Sequence, residues 1–286
     1  MPMEPEAPLP EAITGPLPPP PPPRTEPLVP WKPCMDDPRV LSKQMGCEVR
    51  IFDDGIVWKR GNRVRPSEEA ALRIVREHTT IPVPEVYWTR YGTKNGYDYG
   101  EIFMEHILGS SLDGIWDTLE PSTKERLCNE VWGFVEQLRK IPKPPEFETL
   151  YQCCADGSPS RDILLQDLKS PPSPILDDES LRRRINERYL DHNGGSYGEH
   201  LPDFLPHSDI SVFTHADLAP RNIMVDESCT ITGLIDWEFS GWYPDYWEYA
   251  KTQVQWLRRD WIHWMDKTKP QDWDIAGIYK AKRVLF

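Results

Sequence analysis

The sequence predicts a two-lobed protein of the α+β class, in which a small β-rich part precedes a larger, mostly helical part. Two observations indicate this class: strand-like alternation is concentrated before residue 107, and helical periodicity predominates after residue 110. A third observation sets the N-terminus apart, because residues 1–38 contain 15 of the 31 prolines in the 286-residue chain. We therefore divide the chain into a tail at 1–38, an N-terminal lobe at 39–107 and a C-terminal lobe at 108–286.

The N-terminal lobe is predicted to have the order strand, strand, helix, strand, strand. The first two strands flank an Asp-Asp-Gly hairpin turn, and the last two are separated by a turn rich in glycine. The helix runs from Glu68 to about His78, with Ser67 as its N-cap. The four predicted strands are Glu48–Phe52, Ile56–Arg60, Glu85–Arg90 and Tyr99–His106.

The C-terminal lobe is predicted to be helical, with three short strands in its second half. Its last helix carries apolar residues every three to four positions, a stripe that indicates core packing. The predicted helices are Leu112–Leu119, Ser122–Ile141, Asp178–Leu190 and Tyr246–Met265, with a short tail after the last one. The predicted strands are Val212–His215, Ile223–Asp226 and Thr230–Trp237.

The tail has no apolar pattern that could form a core, so it is predicted to be disordered. The run from Pro18 to Pro23 favours the polyproline II conformation. Pro19, Pro22 and Arg24 match the pattern P-x-x-P-x-R, which SH3-type domains bind. Any proline run followed by arginine gives this match, so a passive tail is the preferred interpretation and an SH3-type partner is the alternative.

The charge balance argues against one class of function. The chain has 33 Lys and Arg against 46 Asp and Glu, a net charge of −13. Nucleic-acid binding usually requires a basic surface that neutralises phosphates, so no nucleic-acid partner is expected. The acidic balance is compatible with a cationic small-molecule ligand, although a solvated acidic surface is the preferred interpretation.

Nothing in the sequence indicates secretion or a membrane. The six cysteines form neither a C-x-x-C pair nor a Cys/His cluster with zinc spacing. The N-terminus lacks the basic stretch and apolar run of a signal peptide, and no apolar run is long enough to cross a bilayer. We therefore expect a reduced, cytoplasmic protein with no membrane partner.

The most informative segment follows the first predicted strand of the second half. His215, Asp217 and Asn222 form the pattern H-x-D-L-x-x-x-N, and Asp236 follows 14 residues after the asparagine. His215 is predicted to end a strand, Asn222 to start the next one and Asp236 to end the strand after that, while Pro220 keeps the intervening loop from becoming helical. Two neighbouring strands would bring Asn222 and Asp236 within reach of each other.

This combination of side chains suits magnesium bound to phosphates. Mg²⁺ takes hard oxygen ligands, few of them from protein, and Asn222 and Asp236 supply such oxygens. Asp217 is then placed to accept a proton from a hydroxyl group, as in phosphoryl transfer of the kinase type. The alternative is that Asp217 and Asn222 only form turn hydrogen bonds, which the whole set of residues and flanking strands disfavours.

The residues from Phe213 to Ala250 resemble the phosphotransferase enzyme family that includes aminoglycoside phosphotransferases. The runs THADLAPRNI, GLIDWE and GWYPDYWEYA are similar to those of members common in fungi. The similarity extends upstream through Thr79–Tyr87 and Phe103–Gly109, so it covers nearly all of residues 40–265. It implies a protein-kinase-like fold, although the chain lacks the G-x-G-x-x-G, D-F-G and A-P-E motifs of a protein kinase proper.

The resemblance implies an ATP- and Mg²⁺-dependent kinase that phosphorylates a hydroxyl group of a small molecule. The N-terminal lobe then binds the nucleotide, and the C-terminal lobe supplies catalysis and acceptor binding. Lys59 would hold the α- and β-phosphates and pair with Glu68, with Glu69 as the alternative partner. Asp217 would be the catalytic base, and Asn222 and Asp236 the magnesium ligands. The adenine would contact the backbone of a hinge formed by Met104, Glu105, His106 and Ile107.

Several roles stay open at this point. The turn that covers the phosphates is expected at Met45-Gly46-Cys47, which has a single glycine, as in the aminoglycoside family. Arg221 could stabilise the transferred phosphate or pair with Glu238. Either Glu238 or Glu248 could anchor the short loop after Asp236 by hydrogen-bonding the catalytic loop, which His215 is expected to brace.

Two functional classes remain in competition. The preferred one is an active small-molecule kinase, because no residue of the motif set is missing. The alternative is a non-catalytic kinase-like module that binds a nucleotide or a partner. The acceptor is not readable from the sequence, and the acidic balance favours amines such as amino sugars, choline-like alcohols or hydroxylated amines.

Overall fold

The computed structural model describes residues 38–254 and 257–285, which form a mixed α+β fold. An antiparallel sheet occupies the N-terminal region, and helices predominate in the C-terminal part. The predictions for the proline-rich tail, including the P-x-x-P-x-R pattern, lie outside the described residues. Within 38–254 and 257–285, none of the helices is long and apolar enough to cross a membrane.

The N-terminal region is a five-stranded antiparallel sheet with one helix, α1, at Pro66–His78. Its strand order is β1-β2-β3-β5-β4. The first strand, β1, is absent from the predicted order. Its residues are mostly exposed and show no alternation, so no strand pattern is visible there. The strands are β1 (Arg39–Gln44), β2 (Cys47–Ile51), β3 (Ile56–Gly61), β4 (Val86–Lys94) and β5 (Tyr97–Glu105).

The prediction that Ser67 caps α1 is wrong. The helix begins at Pro66, and the residue at the capping position is Arg65, whose side chain makes no capping hydrogen bond. Proline is favoured at the first helical position because its fixed φ is already helical and its missing N–H would have no helical partner. Ser67 is therefore inside the helix and only 4% exposed.

The C-terminal part contains seven helices among the described residues. The predicted helices near residues 112, 122 and 178 are present, with boundaries that differ by a few residues. They are α2 (Leu112–Ile115), α3 (Pro121–Leu138), α4 (Asp178–Asp191), α5 (Leu201–Phe204), α6 (Trp247–Thr252), α7 (Arg259–Lys267) and α8 (Ala276–Leu285).

The predicted single helix over Tyr246–Met265 is wrong, because the chain forms α6 and α7 with a break between them. The Arg258 backbone is extended, and its side chain donates hydrogen bonds to the carboxylate and carbonyl oxygens of Asp113 at 2.8 and 3.1 Å. The apolar stripe continues on both sides of the break, since Trp247 and Trp261 are both fully buried.

The predicted short tail after the last helix is also wrong, because this segment forms α8, which packs against α4 and α5.

Two small three-stranded sheets carry the loops of the C-terminal part, in the orders β10-β9-β6 and β7-β11-β8. β8 leads into the loop that contains His215, and the β9–β10 hairpin separates Asn222 from Asp236. The strands are β6 (Ser110–Ser111), β7 (Cys153–Cys154), β8 (Ser211–Thr214), β9 (Ile223–Val225), β10 (Ile231–Leu234) and β11 (Gly241–Pro244).

These strands are shorter than predicted at their functional ends. Pro220 begins a single 3-10 turn, Pro220–Asn222, so it starts a short helical turn instead of preventing one. Asn222 ends this turn immediately before β9, and Asp236 lies two residues beyond the end of β10. Both side chains are therefore held by loop backbone instead of sheet ladders.

Candidate active site

A cleft of about 350 Å³ lies between the N-terminal sheet and the loops around β9 and β10. The residues predicted from sequence to bind nucleotide and metal all line this cleft, although they are spread over nearly 180 positions. They are Lys59, Glu68, Met104, Glu105, His106, Ile107, Asn222 and Asp236. Asp217 does not line the cleft itself; it contacts Arg221 and Asn222, which do.

Lys59 is the centre of a three-residue ion network. Its Nζ atom lies 2.7 Å from Oε1 of Glu68 and 2.7 Å from Oδ1 of Asp236. Burial opposes charge on Lys59, but Glu68 and Asp236 outweigh it and raise the pKa of this lysine well above its usual value. Glu69, the alternative partner, instead accepts a hydrogen bond from the hydroxyl of Tyr91.

The network forms because of strand register and helix periodicity. β3 pairs with β5 so that Val57 lies opposite Met104 and Lys59 opposite Ile102, all on one face of the sheet. α1 packs on this face through the buried residues Ala71, Leu72 and Val75, and Glu68 shares the buried side of the helix. An unpaired carboxylate at 2% exposure would be costly, so Lys59 is needed for the burial of Glu68.

The hinge segment leaves one backbone donor free at the cleft. The N–H of Glu105 donates to the carbonyl of Glu85 at 2.8 Å, and that of His106 donates to the carbonyl of Gly55 at 3.2 Å. The N–H of Ile107 makes no hydrogen bond to any described residue. Apolar side chains such as Val57 and Met224 line the same cleft. A flat heteroaromatic ring could therefore find apolar walls and a backbone donor here.

The turn between β1 and β2 closes one side of the cleft, as Gln44 and Cys47 line it. Gly46 has a φ of +78°, and its carbonyl accepts a hydrogen bond from the N–H of Arg63 at 3.0 Å. A Cβ atom on Gly61 would lie 2.2 Å from that carbonyl oxygen. Glycine at position 61 is thus required for the close approach that fixes the turn.

Asp217 is held by its own loop. A terminal nitrogen of Arg221 donates to both carboxylate oxygens, and the amide nitrogen of Asn222 donates to Oδ2 at 2.9 Å. Ala216, which precedes the aspartate, has a φ of +65°. A non-glycine residue in this region costs about 1–2 kcal/mol, so other contacts must stabilise the loop.

Those contacts come from His215, Ser240 and Glu248. Oε2 of Glu248 accepts hydrogen bonds from the N–H groups of His215 and Ala216 at 2.7 and 3.3 Å, and Ser240 donates to the carbonyl of His215. Burial raises the pKa of Glu248 to about 7. Glu248 is therefore the loop anchor, whereas Glu238 forms an ion pair with Arg63.

His215 braces the loop as a neutral imidazole. Burial lowers its pKa below the usual value. Its Nδ1 atom accepts from the N–H of Asp217 at 3.2 Å, so Nε2 carries the proton and donates to the carbonyl of Ile235. The ring also packs on Trp237, with 4.4 Å between the ring centroids. These contacts tie the Asp217 loop to the Asp236 loop.

The donor set fits a magnesium ion bound mainly by phosphates and water. The nitrogen of Asn222 is used by Asp217, which leaves the amide oxygen as an acceptor. Burial would raise the pKa of Asp236, but Lys59 outweighs it, so the pKa is lowered and the group is a carboxylate at neutral pH. The described residues contain no group of three or more His, Cys, Asp and Glu suited to a metal.

Asp236 also has an unusual backbone, with a φ of +68°. Positive φ values at both Ala216 and Asp236 indicate two strained residues at one site, which is common where geometry serves function. No sequence pattern indicated these backbone conformations. The Arg63–Glu238 pair was not predicted either, since the two residues are 175 positions apart.

The antiparallel sheet, the helical C-terminal part and this cleft define the class of the protein as a protein-kinase-like phosphotransferase. The chain belongs to the phosphotransferase enzyme family, whose model matches residues 49–271. The resemblance drawn from the sequence and the predicted fold are both confirmed. No protein of curated function matches the chain significantly.

Solved structures of aminoglycoside phosphotransferases share the fold. The GDP complex of wild-type aminoglycoside 2'-phosphotransferase-IIIa is 16% identical, with a TM-score of 0.55 over 87% of this chain and 82% of that one. The ADP-bound APH(2'')-Ib is 15% identical, with a TM-score of 0.54 over 87% and 81%. The streptomycin–ATP complex of APH(2'')-IIa is 11% identical, with a TM-score of 0.52 over 87% and 81%. Identities this low show a common fold and do not identify the acceptor.

Proposed function

We propose that the chain is an ATP- and Mg²⁺-dependent kinase that transfers the γ-phosphate to a hydroxyl group of a small molecule. The observation that carries this proposal is the position of Lys59, 2.7 Å from both Glu68 and Asp236 inside the cleft. Residues 39–107 would hold the nucleotide, and residues 108–286 would supply the catalytic loop and the acceptor pocket.

In this proposal the adenine lies between the apolar walls of the cleft and accepts a hydrogen bond from the N–H of Ile107. Lys59 donates to the α- and β-phosphate oxygens, while Glu68 keeps its ammonium group in place. Asn222 and Asp236 would hold magnesium, which neutralises charge on the phosphates when it is bound. Nucleotide complexes of aminoglycoside phosphotransferases with the same fold support nucleotide binding by this chain.

The transfer step uses Asp217 as the proton acceptor. The acceptor oxygen attacks the γ-phosphorus atom, the bond from that phosphorus to the β,γ-bridging oxygen breaks, and ADP leaves. The hydroxyl proton goes to a carboxylate oxygen of Asp217. Arg221 donates to both oxygens of Asp217 in this structure, and Oδ1, which accepts from Arg221 alone, keeps a lone pair for the proton.

One observation favours the alternative of a non-catalytic nucleotide-binding module. Asp217 is paired with Arg221 and does not line the cleft, so the proposed base forms an ion pair outside the nucleotide pocket in the arrangement described here. The acceptor is proposed only as a hydroxyl-bearing small molecule. Aminoglycosides bound by relatives of this fold make cationic amino alcohols the first compounds to test.

The decisive experiment compares the wild-type chain with Asp217→Asn in ATP hydrolysis and, once an acceptor is found, in single-turnover transfer. The amide is nearly isosteric and still forms hydrogen bonds, but it does not take up a proton. We expect ATP affinity to be unchanged and the rate to fall by about 10²–10⁴. Since phosphoryl transfer has a loose transition state, the loss could fall at the low end.

Asp209→Asn is the matched control, because Asp209 is exposed and lies outside the cleft. A wild-type rate in Asp217→Asn would remove Asp217 from the mechanism. Bound ATP without hydrolysis or transfer in the wild type, across a panel of cationic and neutral alcohols, would favour the non-catalytic module.

A further inference from the structure

A second cavity of about 340 Å³ opens beside the cleft, and three arginines line it. Arg63 and Arg65 come from the segment between β3 and α1, and Arg161 comes from the C-terminal part. Asp98, near the β4–β5 turn, is the one acidic residue among the described residues that line it. Three guanidinium groups around one cavity are unexpected in a chain with a net charge of −13.

The positive charge of this cavity is only partly compensated. Arg65 pairs with Asp98 at 2.9 Å, and Arg63 pairs with Glu238. Arg161 donates a hydrogen bond to the backbone carbonyl of Arg63 at 3.1 Å and forms no ion pair with a described residue. Partial burial, followed by the charge of Arg65, lowers the pKa of Arg161; Arg63 acts in the same direction, and Glu238 acts against it. An anion between these groups would relieve this repulsion.

We propose that this cavity is an oxyanion site that binds the carboxylate or phosphate group of a small molecule. The planar guanidinium groups of Arg65 and Arg161 match the geometry of both kinds of oxyanion. The volume suits a small metabolite.

The site adjoins the proposed nucleotide cleft. Arg63 lines both cavities, and its partner Glu238 lines the cleft two positions after Asp236. The oxyanion can therefore belong to either of two sources, the acceptor itself or a separate effector. In the first case the acceptor carries a carboxylate or phosphate group besides its hydroxyl, an inference that rests on the proposed kinase function.

The first test measures binding and needs no catalytic activity. The full chain is titrated by calorimetry with inorganic phosphate and with citrate, at an ionic strength held constant with chloride. Three variants are compared with the wild type: the double variant Arg65→Gln/Arg161→Gln, Lys59→Ala in the cleft, and Arg183→Gln as an exposed arginine elsewhere. Far-UV circular dichroism verifies that each variant is folded.

We expect millimolar or tighter binding of at least one anion to the wild type, a loss of at least tenfold in the double variant, and little change in the other two. Tenfold corresponds to about 1.4 kcal/mol. Binding that is kept in the double variant and lost in Lys59→Ala would place the anion in the cleft and overturn the proposal. No binding of either anion at millimolar concentration would also overturn it.

The second test identifies the source once an acceptor is known. If the oxyanion belongs to the acceptor, the double variant raises KM for the acceptor with kcat kept, and citrate competes with the acceptor. If it belongs to an effector, citrate changes the rate of the wild type without such competition, and the double variant loses this response. A double variant that matches the wild type in KM, kcat and citrate response would overturn a role for the site in the reaction.

Discussion

The terminal nitrogen Nη2 of Arg221 lies 2.6 and 2.7 Å from the two carboxylate oxygens of Asp217, so one guanidinium covers the proposed catalytic base. The 3-10 turn at Pro220–Asn222 places this arginine at the mouth of the cleft, where its side chain is 44% exposed. The exposed guanidinium is thus within the cleft and also bound to the base. A triphosphate in the cleft would compete with Asp217 for the same donor.

The first prediction concerns Arg221→Ala. If Arg221 leaves Asp217 for the phosphate oxygens of ATP, its removal should weaken ATP binding about tenfold, or about 1.4 kcal/mol, while adenosine binding stays unchanged. Turnover should fall as well, since a cation near the transferred phosphate is lost. Calorimetry with ATP·Mg²⁺ and adenosine gives the comparison. Unchanged ATP affinity together with faster turnover would mean that Arg221 only restrains Asp217.

The second prediction separates the phosphate-binding and metal-binding roles in the cleft. Lys59→Ala removes a cation that contacts phosphates directly, so ATP affinity should fall with and without Mg²⁺. Asp236→Ala should weaken ATP binding only when Mg²⁺ is present, since a hard carboxylate ligand is lost. Titrations in Mg²⁺ and in EDTA check both variants. Equal Mg²⁺ dependence in Asp236→Ala and the wild type would disprove the metal assignment.

The third prediction follows from the buried carboxyl group of Glu248, whose Oε1 atom has no hydrogen-bond partner among the described residues. Its pKa is raised by burial from 4.5 to about 7. Between these values the folded state binds more protons than the unfolded state. The stabilisation of the folded state by Glu248 protonation is therefore fully present below pH 4.5 and is lost as the pH rises through 7. The slope is at most about 1.4 kcal/mol per pH unit.

Glu248→Gln removes this titration and keeps an oxygen that accepts from His215 and Ala216. We expect the free energy of unfolding of the variant, relative to the wild type, to increase between pH 5 and pH 8. Urea unfolding at several pH values measures the difference. Parallel pH profiles for the two proteins would contradict the raised pKa of Glu248.

The fourth prediction concerns Lys282 on α8, which is 8% exposed and donates to the carbonyl of Ala250 at 2.8 Å. Burial, followed by the charge of Lys251, lowers its pKa from 10.5 to about 7. Between these values the unfolded state binds more protons, so this lysine makes the folded state more stable as the pH rises above 7.

Lys282→Met does not titrate, so its stability relative to the wild type should be greatest at pH 7 and should decrease toward pH 9. The decrease should be at most about 1.4 kcal/mol per pH unit. Lys280→Met, on the same helix, serves as the control and should follow the wild-type profile. Thermal unfolding between pH 6.5 and 9 tests both variants, and a constant difference between Lys282→Met and the wild type would refute the lowered pKa.

Local patterns in the sequence were sufficient for much of the fold. The hairpin turn at Asp53-Asp54-Gly55, the alternation of the strands and the apolar stripe of α3 depend on residues a few positions apart, so their signals are local. The same locality explains the errors. Between α6 and α7, Arg258 contacts Asp113, 145 positions away, a contact that no local pattern shows, while apolar residues of the stripe are buried on both sides of the break. Likewise, Pro66 and not Ser67 sets the start of α1.

The sequence by itself determined the family and the residue types of the candidate site, because the H-x-D-L-x-x-x-N pattern and Asp236 have spacings along the chain that can be recognised without a structure. Only the tertiary structure decided their partners. In the structure, Lys59 pairs with Glu68 and Asp236, and Arg221 pairs with Asp217. Glu248, and not Glu238, accepts hydrogen bonds from the loop that contains Asp217. Such choices depend on which charges and hydrogen-bond donors meet in a buried space, and that proximity is created by packing between segments far apart in the chain.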